Sequence, residues 1–225
     1  MPRLYTASDL APDASISLEE GQSHYLRRVM RLKGGAALTL FNGRHGEFSA
    51  VFDGAAGATV GAQTRPQPEA RPPVRLYLPV IKKDRLDMLV EKAVELGAAQ
   101  LQPVLTRRAQ PLKLNLDRLA AQAVEAAEQC ERLTVPAVLP PVPLAALPAD
   151  LPLIWAAERS PGAPPLACLR HDGAVAFLVG PEGGFAPEER EFLARRPDTR
   201  AASLGESILR AETAAIVMLA VWGKN

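Results

Sequence analysis

The chain has 225 residues, which is enough for a well-buried core organised as one or two domains. Its 26 lysines and arginines nearly balance its 25 aspartates and glutamates, and the resulting net charge of +1 excludes nucleic-acid binding driven by overall charge. No apolar stretch approaches the ~20 residues of a membrane span, and the first residues lack the apolar core of a signal peptide. We therefore expect a cytoplasmic protein with no membrane partner.

The first part of the chain is predicted to be mostly β-structure. Apolar runs at 37–41 and 47–52 flank the sequence NGRHG, which is typical of a hairpin connection. A third strand is predicted over 58–64 and a short helix over 20–32. The proline-rich stretch at 65–73 cannot form a central strand or a helix interior, so we place a boundary there and predict domains over 1–68 and 74–225.

Strands and helices alternate after this boundary. We predict strands over 74–81, 100–105, 151–157, 174–179 and 200–204, and helices over 84–96, 115–132, 187–195 and 211–222. Asp84 and Asn115 are candidate N-caps, and Gly97 is a candidate helix stop. The alternation is typical of an α/β fold with a mostly parallel sheet and helices on both faces.

The predicted 20–32 helix carries a basic strip with no acidic residue between Gly21 and Gly46. The basic strip consists of His24, Arg27, Arg28, Arg31 and Lys33. Tyr25, Val29 and Leu32 are expected to pack inward from the opposite side. A solvated surface helix has a similar pattern, but clustered cations without acids favour a surface that binds RNA phosphates.

Two glycine-containing loops near the C-terminus predict a ligand site. Residues 180–185 (GPEGGF) follow a buried-strand pattern, and residues 204–214 (LGESILRAETA) lead into an apolar helix. Glycine permits a positive φ and close approach of the backbone to a ligand, and open α/β sheets bind ligands at the carboxyl ends of their strands. Either loop alone could be a tight turn, but Glu182, Arg210 and Glu212 beside them favour a site.

Other polar side chains are candidates for contacts with RNA or with a partner subunit. Cations follow two predicted strands at the same sheet edge as the glycine loops, namely Lys82, Lys83, Arg85, Arg107 and Arg108. Gln129 and Arg132 end a polar stripe on the 115–132 helix; this stripe is either a hydrated face or one directed at the active site or a partner subunit. The histidines lack metal-ligand spacing and there is no HExxH or Walker sequence, so we expect no metal.

At these residues the chain resembles the RsmE family, bacterial SPOUT-class methyltransferases that modify N3 of a uridine in 16S ribosomal RNA. The resemblance rests on segments 24–31 (HYLRRVMR), 92–97 (KAVELG), 127–132 (AEQCER), 180–185 and 204–214, which span nearly the whole chain in order. It implies a PUA-like β-barrel followed by a SPOUT α/β domain with a deep trefoil knot. It also implies S-adenosylmethionine as cofactor, a homodimer, and 16S ribosomal RNA or the 30S subunit as substrate. The chain departs from the family pattern at Ala186, Ser207 and Ala211.

The reaction that the resemblance implies suggests roles for the candidate residues. Arg210 is expected to stabilise the substrate's negative charge, and Gln129 and Arg132 are expected to position the nucleotide. Glu182 or Glu212 is expected to orient Arg210 or relay a proton, although Glu212 fits equally well as a first-turn residue that favours the helix N-terminus. The cofactor is expected to contact Ala157, Glu158, Val179, Gly180, Pro181, Glu182, Gly183, Gly184, Leu204, Gly205, Ser207, Ile208 and Leu209. Two alternatives stay open: methylation of a ribose 2′-OH or another base, and a non-catalytic RNA-binding module for ribosome assembly.

Overall fold

A computed structural model describes residues 1–110, 113–158, 160, 162–170 and 172–223. The chain divides into two compact units. The first contains Met1–Ala70 and Ala127–Val135, and the second contains Arg71–Ala126 and Pro136–Asn225. The segment 127–135, which lies within the predicted second domain, is thus grouped with the first unit. Arg3 holds it there, because its guanidinium donates hydrogen bonds to the carbonyl oxygens of Ala127 and Arg132, each at 2.9 Å.

The first unit is built on a five-stranded mixed sheet. Its elements are β1 (Arg3–Tyr5), β2 (Ser15–Ser17), α1 (Glu20–His24), β3 (Ala37–Phe41), β4 (Glu47–Phe52) and β5 (Gly57–Arg65). The strand order is β1-β3-β4-β5-β2, with β1 parallel to β3 and the other neighbours antiparallel. Strands β1 and β2 are the edges of this sheet, which therefore forms a half-barrel. Its core includes Leu26, Leu38, Leu40 and Phe52.

The predicted 20–32 helix differs from expectation in its second half. After α1 the chain forms a π-helical turn over Tyr25–Val29, in which the Met30 N–H donates to the Tyr25 carbonyl at 3.0 Å. The wider turn rotates side chains away from α-helical spacing. Leu26 is therefore buried, whereas Tyr25 and Val29, predicted to pack inward, are exposed. Leu32 does pack against the core, as predicted.

The second unit has a parallel seven-stranded sheet. The strands are β6 (Val74–Pro79), β7 (Gln100–Leu105), β8 (Ala137–Val138), β9 (Val142–Pro143), β10 (Leu153–Ala156), β11 (Val175–Leu178) and β12 (Thr199–Ala202). The order is β12-β10-β11-β6-β7-β8, with β9 also paired to β7. The helices are α2 (Lys83–Glu95), α3 (Leu116–Gln129), α4 (Pro187–Arg195) and α5 (Ala211–Trp222), and the last three residues of α3 belong to the first unit. The predicted α/β organisation of this region is confirmed.

The ends of α2 and α3 are determined by capping residues and by backbone conformation. Asn115 caps α3, since its side-chain oxygen accepts a hydrogen bond from the Arg118 N–H at 2.9 Å, and Gly97 follows α2 with a φ of +89°. The predicted N-cap of α2, Asp84, lies inside the first turn of the helix, and Lys82 occupies the N-cap position. The negative charge of Asp84 still stabilises the helix from this position near its N-terminus. Helix α3 ends before the predicted residue 132 because Glu131 has a left-handed φ of 57°.

Helix α4 has no Ser or Thr at its N-cap position, and Glu189 supplies the capping hydrogen bond instead. Ala186 cannot accept a hydrogen bond through its side chain, but the Glu189 carboxylate accepts one from the Ala186 N–H at 2.8 Å. Pro187 occupies the first helical position, where a missing N–H costs nothing. Within the described part of the chain, no helix has the length and apolar character needed to span a membrane.

Candidate active site

A cavity of about 910 Å³ lies at the carboxyl ends of three neighbouring strands, β11, β10 and β12. The segments that leave these strands form its walls, as expected for ligand sites of open parallel sheets. All the residues predicted to contact the cofactor line this cavity. They are Ala157 and Glu158 after β10, Val179, Gly180, Pro181, Glu182, Gly183 and Gly184 after β11, and Leu204, Gly205, Ser207, Ile208 and Leu209 after β12.

Glycines shape the cavity wall in two different ways. Gly184 and Gly205 have φ values of +66° and +116°, and a Cβ added at either would meet no atom within 4 Å. At these two positions glycine is favoured by backbone conformation. A Cβ on Gly180 would lie only 3.2 Å from the Phe185 ring, so there glycine is favoured by close packing. The backbone of both loops is thereby presented to the cavity.

Arg85 joins the two loop regions through their carboxylates. Its guanidinium lies 3.0 Å from Glu182 Oε1, in the 180–185 loop, and 3.7 Å from Glu212 Oε1, in the first turn of α5. Sequence reasoning paired these glutamates with Arg210, whereas both lie beside Arg85. Glu212 is buried, and its Oε2 atom has no hydrogen-bond partner among the described residues. Of the two glutamates, Glu182 lines the cavity.

Arg210 is a cation of the cavity wall that has no internal partner among the described residues. It lines the cavity, is exposed, and forms the N-cap of α5. Within the described ranges its guanidinium makes no hydrogen bond or ion pair. It is therefore available to an anionic group entering the cavity. Arg108, by contrast, donates a hydrogen bond to the Gly183 carbonyl at 2.8 Å and fixes that loop.

Trp155 is a cavity residue that sequence reasoning missed. It lies in β10, is 4% exposed, and packs edge-to-face on Phe185 with ring centroids 5.9 Å apart. Its indole N–H is buried without a hydrogen-bond partner in the described part of the chain. Buried indole N–H groups usually have a partner, so this donor is a candidate for a ligand contact. A tryptophan in a buried strand pattern gives no sequence signal for such a role.

The cations predicted to bind RNA fall into two groups. In the second unit, Lys83 pairs with Asp87 and Arg107 with Glu188, at 2.8 and 3.4 Å, while Arg85 and Arg108 are engaged as described above. Lys82 is exposed and its side chain has no partner in the described residues. In the first unit, the whole basic strip is exposed, and none of its side chains has a partner within the described ranges; it comprises His24, Arg27, Arg28, Arg31 and Lys33.

Gln129 and Arg132 both belong to the first unit. Gln129 is exposed. The Arg132 guanidinium donates to the Thr134 hydroxyl at 2.8 Å, and burial lowers its pKa below the usual value. The Arg132 guanidinium is therefore engaged within its own unit. No group of His, Cys, Asp and Glu able to hold a metal ion occurs in the described ranges.

Comparison with known proteins gives concordant results along the chain. An RNA methyltransferase domain family matches residues 68–223, and an RNA methyltransferase PUA domain family matches residues 18–55. Ribosomal RNA small subunit methyltransferase E from Rickettsia conorii is 33% identical over 227 residues, covering 97% of this chain and 93% of the relative. The protein of the same name from Synechocystis is 34% identical, covering 97% of this chain and 76% of the relative.

Solved structures agree over the full length. Ribosomal RNA small subunit methyltransferase E from Neisseria gonorrhoeae, bound to S-adenosylmethionine, has a TM-score of 0.84 at 30% identity, covering 99% of this chain and 98% of that one. A methyltransferase from Legionella pneumophila, also with S-adenosylmethionine, has a TM-score of 0.83 at 28% identity, covering 97% and 95% of the two chains.

Proposed function

Since the chain belongs to the ribosomal RNA small subunit methyltransferase E family, we propose that it transfers a methyl group from S-adenosylmethionine to N3 of a uridine in 16S ribosomal RNA. The observation that carries the proposal is the cavity formed by the two glycine loops, with Arg210, which has no partner in the described part of the chain, in its wall. The glycine loops explain cofactor binding, and Arg210 explains how a weakly acidic substrate is made to react.

The cavity suits the proposed cofactor in size and in lining. Its volume of about 910 Å³ is within the range of small-molecule sites, roughly 300–1,000 Å³. The backbone N–H and C=O groups of 179–184 and 204–209 would hold the adenosyl group, with Ala157 and Glu158 beside it. The indole N–H of Trp155, which has no partner among the described residues, would supply one further donor. When bound, S-adenosylmethionine supplies an electrophilic methyl group on a positively charged sulfur.

Arg210 addresses the main difficulty of the reaction. Uracil N3 carries a proton at neutral pH and must lose it before it can attack a methyl group, which leaves negative charge on O2 and O4. A guanidinium stays charged and can donate two parallel hydrogen bonds to such oxygens. Arg210 therefore stabilises the deprotonated base and orients it. Glu182, which lines the cavity, is the better placed of the two glutamates to pass on the proton.

The methyl-transfer assay tests this function directly. The protein is incubated with radiolabelled S-adenosylmethionine and either 16S RNA or 30S particles, and label in RNA is measured. Arg210→Ala is expected to reduce single-turnover transfer by at least ~100-fold while cofactor affinity is kept, and higher pH should restore part of the rate. Arg170→Ala, which changes an exposed arginine outside the cavity lining, is the matched control. Near-normal transfer by Arg210→Ala at neutral pH would contradict the assignment.

We further propose a trefoil knot, on the basis of family membership, and a homodimer. On α5, a largely apolar stripe at helical spacing is not fully buried; it comprises Thr213, Ile216, Val217, Ala220 and Val221, which are exposed or half-buried. A second copy of the chain would cover this stripe.

A further inference from the structure

Three large apolar side chains are exposed within six residues of the first unit. Tyr25 is 41% exposed, Val29 63% and Met30 39%. Single exposed apolar residues are ordinary on protein surfaces, but a cluster marks an interaction site. We call these three residues, together with the basic strip defined above, the apolar–basic surface.

The backbone holds this cluster in place at an energetic cost. Leu26 is fully buried and anchors the turn in the core, while the Leu32 N–H donates to the Leu26 carbonyl at 2.9 Å. Arg31 closes the turn with a φ of +54°, which is uncommon for a residue other than glycine. Such strain persists where the surrounding structure imposes it, and it is typical of functional segments. The apolar side chains therefore face solvent because the turn directs them there.

Charge and chemistry identify the kind of partner. The basic strip contributes cations that have no partner within the described ranges, and no acid interrupts the sequence from Gly21 to Gly46. Phosphates would match these cations, but phosphates alone leave the three apolar side chains without a partner. The face of an unpaired nucleotide base fits them, since aromatic and apolar side chains stack on bases next to a basic groove. In a paired RNA helix the base faces are hidden.

We propose that Tyr25 stacks on an unpaired base of the RNA, with Val29 and Met30 extending the apolar platform and Arg27, Arg28 and Arg31 binding the neighbouring phosphates. The inference rests on the proposed function only in taking RNA as the ligand. It adds that this unit binds a single-stranded segment and not merely the shape of a duplex.

Binding measurements on two RNAs test this directly. A single-stranded oligonucleotide and a fully paired hairpin of the same length are titrated at several salt concentrations with wild type, Tyr25→Ala, Tyr25→Phe and Arg27→Ala. Tyr25→Ala should bind the single strand about 10-fold more weakly, the scale of one lost stacking contact. Its salt dependence should be unchanged, and Tyr25→Phe should keep wild-type affinity. Arg27→Ala should instead lower the salt slope, because it removes a phosphate contact.

Three other outcomes would overturn the stacking proposal. Wild-type affinity of Tyr25→Ala for the single strand, or equal losses for single strand and hairpin, would overturn the proposal. If Tyr25→Ala changes the sedimentation of the free protein, the apolar–basic surface contacts another polypeptide and the proposal is wrong. Because Tyr25 is exposed, its replacement should leave the melting temperature nearly unchanged. Binding is measured without methyl transfer, so failure of the proposed reaction would leave the stacking result intact and distinguishable.

Discussion

Replacing Gly205 by alanine should weaken cofactor binding through backbone conformation alone. Gly205 lines the cavity with a φ of +116°, a value outside the left-handed region that other residues sometimes adopt. A Cβ at this position would meet no protein atom within 4 Å, so crowding by the protein contributes nothing. Holding a residue in a sparsely populated conformation costs about 1–3 kcal/mol, which corresponds to roughly 5- to 150-fold in affinity.

Gly97 offers a matched control for the same substitution. It follows α2 with a φ of +89°, and a Cβ there would also meet no atom within 4 Å. Gly97 does not line the cavity. Gly97→Ala should therefore lower the melting temperature, by about 2–4 °C for each kcal/mol of strain, without changing cofactor affinity.

Calorimetric titration with S-adenosylmethionine and thermal denaturation of both variants separate the two effects. Gly205→Ala should lose affinity by the factor given above, whereas Gly97→Ala should lose only stability. The reasoning is refuted if Gly205→Ala binds the cofactor like wild type. It is equally refuted if Gly97→Ala loses as much affinity as Gly205→Ala, since the loss would then reflect general destabilisation.

Three further predictions concern charge and assembly. Arg85→Ala should reduce methyl transfer and cofactor affinity together, because Glu182 and Glu212 lose their shared cation. Arg85→Lys, whose single ammonium group cannot reach both carboxylates, should keep only part of the wild-type activity. Full activity of Arg85→Ala would show that these ion pairs are dispensable. The hydrogen bond from Arg75 holds the pKa of Asp150 below its usual value. The ionised carboxylate therefore stabilises the fold above about pH 4, and this stabilisation is lost as the pH falls through the lowered pKa. Asp150→Asn should make the melting temperature less sensitive to acid. If the dependence of the melting temperature on pH is unchanged, the Arg75–Asp150 pair does not cause the acid sensitivity. Ala220→Glu, at an exposed position of the α5 stripe, should convert a dimer of wild type into a folded monomer by sedimentation; a variant that stays dimeric would place the interface elsewhere.

Patterns that depend on nearest neighbours along the chain were predictable from sequence. The strands over Ala37–Phe41, Glu47–Phe52 and Gln100–Leu105 and the helices over Pro187–Arg195 and Ala211–Trp222 have the predicted bounds. Each has local periodicity, apolar character or a helix-start signal and is bounded by glycine, proline or polar residues. The glycine loops were recognised for the same reason, and the cavity brings them together.

Features that depend on tertiary contacts were not predictable. The three-residue strand Arg3–Tyr5 is too short to show periodicity, and the π-turn at Tyr25–Val29 has no distinct sequence pattern. The pairing of Arg85 with Glu182 joins residues 97 positions apart, so composition could not distinguish it from solvated loop charges. Both features bear on function, because Arg85 lines the cavity and the π-turn leaves Tyr25 exposed.

The central proposal is methylation of uracil N3, and reverse transcription of treated RNA tests it most directly. N3 lies on the base-pairing edge of uracil, so a methyl group there blocks pairing with adenine and stops the polymerase, whereas a ribose 2′-O-methyl group leaves that edge free. Small-subunit RNA incubated with the protein and S-adenosylmethionine should give one new strong stop beside a single uridine, which is absent with Arg210→Ala. Incorporation of methyl label without such a stop would place the methyl group elsewhere, and would contradict the proposed reaction.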